Sequence, residues 1–252
     1  MTVQTSRAEA KPEARRRVFS HPLAHLLAAL ILIGLVQAFV VKLVLVPSGS
    51  MEQTLETGDR VLVDRLAYAF GDARPSNGDV VVFSTREELW PGGNHPEPAS
   101  AAGWFKHGVR WVLGDLIGIG PTTDRLIVKR VIGTPGQMVE CCGEHGRVMV
   151  DGREIPEPYV FEDLPFRPEE LDCDTAQVSL RCFGPVAVPE GMLLVLGDHR
   201  SRSEDGVAEC RGSASPQADG SGADCVRWVS EEDVIGEAFA VVWPLGRIGN
   251  VE

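Results

Sequence analysis

Residues 23–41 form a run of 19 positions without a charged side chain, interrupted only by His25, Gly34 and Gln37. About 20 apolar residues cross a bilayer as a helix, because no backbone group can stay unpaired in lipid. A transmembrane helix is therefore expected over 21–44. A later apolar run, 234–243, is too short to span and contains Glu237. Past Met51 the pattern changes to short stretches rich in β-branched residues, separated by turn chemistry. Strands are predicted at 60–66, 80–83, 125–132, 192–196 and 234–243, with a hairpin from 137–142 and 147–150. Turns are predicted at Gly58-Asp59, Asn77-Gly78-Asp79, Gly133-Thr134-Pro135-Gly136 and Asp151-Gly152. The fold expected is mainly β, an antiparallel-sheet domain with a smaller inserted region, preceded by one N-terminal transmembrane helix.

Two stretches break the strand pattern. Residues 85–122 scatter Pro, Gly, His and Trp around one apolar stretch at 109–119, and are expected to be an insertion or long loop. Tryptophans there could rest on a membrane surface or pack within the insertion. Residues 207–225 are rich in Gly, Ser and Ala and are expected to be a mobile loop. Residues 156–184 are rich in Pro and acids and are expected to be irregular.

Charge sets an orientation. Residues 1–20 hold five basic residues (Arg7, Lys11, Arg15, Arg16, Arg17) against two acids. Residues 43–252 hold 18 basic against 34 acidic residues, a net of −16. Basic residues beside a span are retained on the cytoplasmic side. Hence 1–20 is expected as a cytoplasmic tail and 45–252 as an extracytoplasmic domain, with Lys42 snorkelling at the outer edge. So acidic a domain is a poor polyanion binder, and nucleic acid is set aside. A cleaved signal peptide is the competing reading, since Ser48-Gly49-Ser50 is a small-x-small sequence. The apolar region is longer than the ~7–15 residues usual for such a peptide.

All six cysteines (Cys141, Cys142, Cys173, Cys182, Cys210, Cys225) fall on the proposed outer side, as an oxidising compartment favours. Cys173 with Cys182 and Cys210 with Cys225 are local pairs that the spacing allows. A metal site competes, but no Cys-x-x-Cys or His-x3–5-His spacing accompanies them.

Ser50 opens the polar part of the chain, just past the apolar run. A serine hydroxyl is a weak nucleophile and needs a base beside it. His95, His107, His145 and His199 are candidates, but no Gly-x-Ser-x-Gly elbow surrounds Ser50. Lysine is the other option, and only Lys106 and Lys129 lie beyond residue 42. Lys129 stands in an apolar strand with Ile127 and Val131 on the same face. Burial there disfavours its charged form and would let it act as a neutral base. Taken singly, Lys129 also reads as a lysine at a strand edge, and Ser50 and 197–200 as turns.

Four segments together resemble the bacterial type I signal peptidases. Pro47-Ser48-Gly49-Ser50-Met51 is similar to their nucleophile motif, and Gly58-Asp59-Arg60-Val61-Leu62-Val63 to their next block. Val128-Lys129-Arg130-Val131-Ile132-Gly133-Thr134-Pro135-Gly136 resembles the general-base block. Gly197-Asp198-His199-Arg200-Ser201-Arg202-Ser203-Glu204-Asp205 resembles the last. They come in the family's order across 47–205. The resemblance implies a Ser–Lys endopeptidase of exported preproteins that needs no cofactor. Ser50 would attack and Lys129 take its proton, while the Ser50 N–H and the Ser48 hydroxyl hold the oxyanion. Ser203 would orient the base, Asp198 and Asp205 would be structural acids, and Arg130 is the basic neighbour of the lysine. Substrate would bind as an added strand, with small residues at and two positions before the cut. The lipid bilayer, and the vicinity of the protein translocation channel, are the expected surroundings. One departure stands out: the family commonly continues with Ser-Arg after Asp205, and here Gly206-Val207 follows. An ion pair of that arginine with an acid is then missing or supplied from elsewhere.

Other readings compete. The same dyad serves self-cleavage in SOS-repressor-like proteins, though the anchor and the lack of a DNA-binding region argue against it. A non-catalytic, disulfide-bonded ectodomain that binds a partner would leave Ser50 and Lys129 interchangeable with other residues, and a secreted protein cut after Ser50 would begin at Met51.

Overall fold

The computed structural model describes residues 22–84, 90, 101–110, 114, 126–212 and 224–251. The expected tail 1–20, most of the expected insertion 85–122, and 213–223 of the expected loop lie outside the described residues.

Helix α1 covers Pro22–Phe39, 18 residues, or about 27 Å at 1.5 Å per residue. It is long and apolar enough to cross a membrane, and Leu23, Leu27, Ile31 and Leu35 are exposed along it. The apolar run outlasts the helix. Where a helix was expected to continue to residue 44, Val41–Leu45 is a strand, β1, with alternate side chains buried. Alternating β-branched and leucine side chains suit a pleated surface, and an apolar run alone does not distinguish lipid-facing helix from sheet-paired strand. The Gln37 Oε1 accepts the Leu43 N–H at 2.9 Å, and the Val40 carbonyl accepts the Arg65 N–H at 2.9 Å. These bonds tie the end of α1 to the first two strands. Lys42, expected at the membrane edge, instead lies buried in β1 opposite Val63.

The remaining elements are β2 (Arg60–Asp64), β3 (Val80–Ser84), α2 (Ala101–Arg110), β4 (Leu126–Gly133), β5 (Met138–Cys141), β6 (Val148–Val150), β7 (Arg153–Glu154), β8 (Phe183–Ala187), β9 (Met192–Leu196), β10 (Val229–Ser230), β11 (Val234–Trp243) and β12 (Gly249–Asn250). The larger sheet has the order β1-β2-β11-β3-β4-β9-β10, with β12 on β11. The smaller has the order β7-β6-β5-β8. Every named pairing is antiparallel. The smaller sheet is inserted between β4 and β9, and the predicted hairpin is its β5–β6 pair. Helix α2 was not foreseen within the insertion, because Gly103, Gly108 and the aromatic residues hid its helical period.

Val44, Val46, Met51, Leu55, Val61, Val63, Val80 and Val128 form one core under the start of the large sheet. A second core joins the two sheets through Ile132, Val139, Val148, Phe183, Leu194 and Val207. Three disulfides close the molecule: Cys141–Cys142, Cys173–Cys182 and Cys210–Cys225. The last two are the local pairs that the spacing allowed.

Candidate active site

Ser50 lies in a single 3-10 turn, Gly49–Met51, that follows β1. The turn is fixed from below. Met51 and Leu55 are buried in the first core, and Leu55 N–H bonds the Met51 carbonyl at 2.6 Å. Val46 exchanges backbone bonds with Asp59 and Gly58. Asp59 is itself buried and accepts from the Arg247 Nε and Nη2 and from the Glu56 N–H. The Gly58-Asp59 block therefore acts as a brace for the serine turn, using a C-terminal arginine that the sequence did not single out.

Lys129 reaches this turn from β4. Its Nζ donates to the Ser50 Oγ at 2.5 Å. The β4 register pairs Lys129 with Val81 of β3, and the side chain is 4% exposed. Burial pulls its pKa from the ordinary lysine range down to about 8, against the opposing pull of Asp205, Asp198 and Glu204. Desolvation wins because a charged ammonium loses more in a low-dielectric site than distant or paired carboxylates return. The neutral amine, the form able to accept a proton, is thus well populated at mildly alkaline pH.

The Gly197–Asp205 block packs against the same turn. A Cβ at Gly197 would run into the Ser50 carbonyl and the Ser203 Oγ, so the close approach needs glycine. Asp198 is fully buried and forms a two-pronged ion pair with Arg130, Nε to Oδ1 at 2.9 Å and Nη2 to Oδ2 at 2.7 Å. Thr54 donates to the same carboxylate at 2.6 Å, and Arg130 also donates to the Gly78 carbonyl. The Tyr159 ring faces the guanidinium at 4.0 Å. Arg130 and Asp198 thus join the general-base block to the last block through one buried pair. Asp205, also fully buried, is paired with Arg211.

Two expected residues are less engaged. Ser203 is buried beside Gly197, but its Oγ makes no hydrogen bond, to Lys129 or to any other described residue. Ser48 is exposed and extended, and its hydroxyl does not cap the serine turn. The alternative base, His199, is directed elsewhere. Its Nδ1 lies 2.7 Å from Glu52 and its Nε2 3.1 Å from Glu162; only its backbone N–H meets the Ser50 carbonyl. Thr54, Tyr159, Glu52, Glu162 and Arg211 were missed by sequence reasoning. They come from loops outside the motif blocks, where residue type alone carries no signal of who meets whom.

Together, a buried lysine amine whose charged form is disfavoured, bonded to a half-buried serine, is an arrangement suited to acyl transfer. Comparisons with known proteins bear on the chain as a whole. The family model described as "Signal peptidase, peptidase S26" matches residues 20–243. The signal peptidase I of Mycobacterium tuberculosis is 35% identical over 231 residues, covering 88% of this chain and 72% of that protein. The probable signal peptidase I of Mycobacterium leprae is 34% identical, covering 88% and 76%. A signal peptidase I of Leptolyngbya laminosa is 27% identical, covering 86% and 75%. The chain belongs to the signal peptidase family, peptidase S26, and is a peptide-bond hydrolase of that family.

Proposed function

We propose that this chain is a membrane-bound serine endopeptidase that removes N-terminal signal peptides from exported preproteins, cutting after small residues. The observation that carries the reading is the 2.5 Å contact between the Lys129 Nζ and the Ser50 Oγ, with the amine buried and its charged form disfavoured. In the reaction the neutral Lys129 takes the Ser50 proton as the oxygen attacks the scissile carbonyl. The developing oxyanion is held by the Ser50 N–H and the Ser48 hydroxyl, which turns toward it when substrate is bound. Lys129 then returns the proton to the leaving amine. A water, deprotonated by the same lysine, hydrolyses the acyl-serine. Ser203, whose hydroxyl is otherwise unpaired, turns toward the amine and orients it during these transfers. Arg130, Asp198 and Asp205 hold the block that carries it.

Helix α1 anchors the enzyme in the bilayer, with residues 1–20 cytoplasmic and 45–252 extracytoplasmic. Its junction with β1 and β2 restrains the domain close to the membrane surface, where the end of a signal peptide emerges near the translocation channel. The substrate adds as an extended strand, and small pockets select side chains at and two positions before the cut.

Cleavage of a preprotein with a small-x-small site by detergent-solubilised protein tests this, with the cut located by mass spectrometry. Cutting at that site by the parent, and not by Ser50→Ala or Lys129→Met, is the expected result. Undiminished activity in Lys129→Met would remove the lysine as base. No cleavage by folded, membrane-inserted parent at any pH from about 7 to 10 would overturn the enzymatic reading of this site.

A further inference from the structure

Asp205 is fully buried and favours the ammonium form of Lys129. Left uncompensated at this position, a carboxylate would hold the lysine charged and idle as a base. Its compensation comes from Arg211, whose Nη2 donates to both carboxylate oxygens at 2.9 and 3.2 Å. The backbone N–H groups of Gly197 and Val207 complete its shell at 3.4 and 3.3 Å.

The arginine stands six residues past the aspartate, and of the positions between them Gly206, Val207 and Cys210 are buried. The Gly206 N–H bonds the Val195 carbonyl at 3.0 Å, and its carbonyl accepts the Arg227 N–H at 2.8 Å. A Cβ at residue 206 would meet the Val195 oxygen at 2.9 Å. Val207 is wholly inside the core between the sheets. The chain then turns, and Cys210, 3% exposed, is bonded to Cys225. On the other side of Arg211 the Gly212 N–H bonds the Cys182 carbonyl at 2.8 Å. Arg211 is therefore held between a covalent link and a backbone hydrogen bond, at a place where a long flexible side chain would otherwise lose entropy to reach a buried acid.

We propose that Arg211, held by the Cys210–Cys225 disulfide, is a positioning residue for the reaction: it neutralises Asp205 so that this carboxylate does not trap Lys129 as an ammonium. The inference rests on the reading of Lys129 as the base. Of the other charges that act on Lys129, Asp198 is already paired with Arg130, and Glu204 is exposed and screened by solvent. The Arg211–Asp205 pair is the one whose strength depends on a loop.

The test is the pH dependence of kcat/KM for the detergent-solubilised full chain, using a peptide that spans a small-x-small site. Arg211→Met should move the rising limb to higher pH by about 0.5–1 unit. That is roughly a 3- to 10-fold loss at pH 7 that closes as pH approaches 10. Arg211→Lys, which keeps the charge, should leave the limb near its parental position. The double variant Cys210→Ser/Cys225→Ser should move it in the same direction as Arg211→Met, by less. A loss in Arg211→Met that is equal at every pH, or a limb that Arg211→Lys displaces as far as Arg211→Met, would show a merely structural arginine and overturn the proposal. Should Arg211→Met fail to fold, the cysteine variant decides: a limb in the parental position overturns the coupling to the disulfide. Lys129→Met separates the two layers. If it is active, the base reading itself is wrong; if it is inactive while the Arg211→Met limb is unmoved, only the role of Arg211 is.

Discussion

Asp198 and Asp205 are both fully buried, both favour the charged form of Lys129, and both are neutralised by an arginine. They are neutralised in different ways. Arg130 is the residue after Lys129 on β4, so the register that places the amine also places the guanidinium. It meets Asp198 through two nitrogens and is further held by the Gly78 carbonyl and the Tyr159 ring. Arg211 meets Asp205 through a single nitrogen, from a turn that the sheet does not position, and its Nε has no partner. The first pair is a consequence of the sheet. The second depends on a loop that a disulfide closes. A site can thus keep its charge balance while the segment supplying one half of it is rebuilt, provided that something else fixes the new segment.

The largest effect should come from the group on which both acids act. Lys129→Met should lower kcat by about 10²–10⁴-fold, the range for losing a general base. In the parent, kcat/KM should rise with pH through about 8 and level off above it, because the lowered pKa populates the neutral amine only above that point. A pH-rate profile checks the sign, since a profile falling through that range would contradict a neutral-lysine base.

Next in size is the sheet-borne pair. Arg130→Met leaves Asp198 buried with the Thr54 hydroxyl alone, and should cost about 3–5 kcal/mol of stability. Thermal or denaturant unfolding of the variant measures it. The loop-borne side should lose less. Removing the Cys210–Cys225 link, which closes a sequence separation of 15 residues, should cost about 3 kcal/mol through the unfolded state. If the two losses were reversed in order, the loop and not the sheet would be the firmer support.

The same contrast separates what the sequence disclosed from what it did not. Ser50, Lys129, Arg130, Asp198 and Asp205 lie in contiguous blocks whose residue order is itself informative. The apolar neighbours of Lys129 allowed a buried amine but equally allowed a lysine at a strand edge, and only the structure shows it buried. The antiparallel strands were legible from β-branched runs and Gly turns, as at Gly58-Asp59 and Gly133–Gly136. The pairings across the chain were not. Nothing local marks Thr54 as a donor to Asp198, Arg247 as the partner of Asp59, or Arg211 as the partner of Asp205, because each contact is made by chain reversal over distances that periodicity does not encode. The end of α1 was misjudged for a related reason: β1 is as apolar as the helix before it, and only its pairing with β2 makes it a strand. His199 looked like a possible base by type, yet its ring is held between Glu52 and Glu162.

The smallest effect concerns the ring over Arg130. The Tyr159 phenol is pushed up to about 12, chiefly by burial, so it stays neutral throughout the working range and offers Arg130 its π face without a competing charge. A guanidinium stacked on an aromatic face gains about 0.5–2 kcal/mol, more when desolvated. Tyr159→Phe keeps the face and should shift the unfolding free energy little, while Tyr159→Leu should lose about 1 kcal/mol, within that range. A double-mutant cycle of Tyr159→Leu with Arg130→Met isolates the term, because the effects of the two changes should fall short of adding. Additive losses would mean that the ring contributes only its buried area. The stiffness of the Asp198 pair would then reside wholly in the hydrogen bonds from Arg130 and Thr54, and its advantage over the Asp205 pair would come down to the second guanidinium nitrogen.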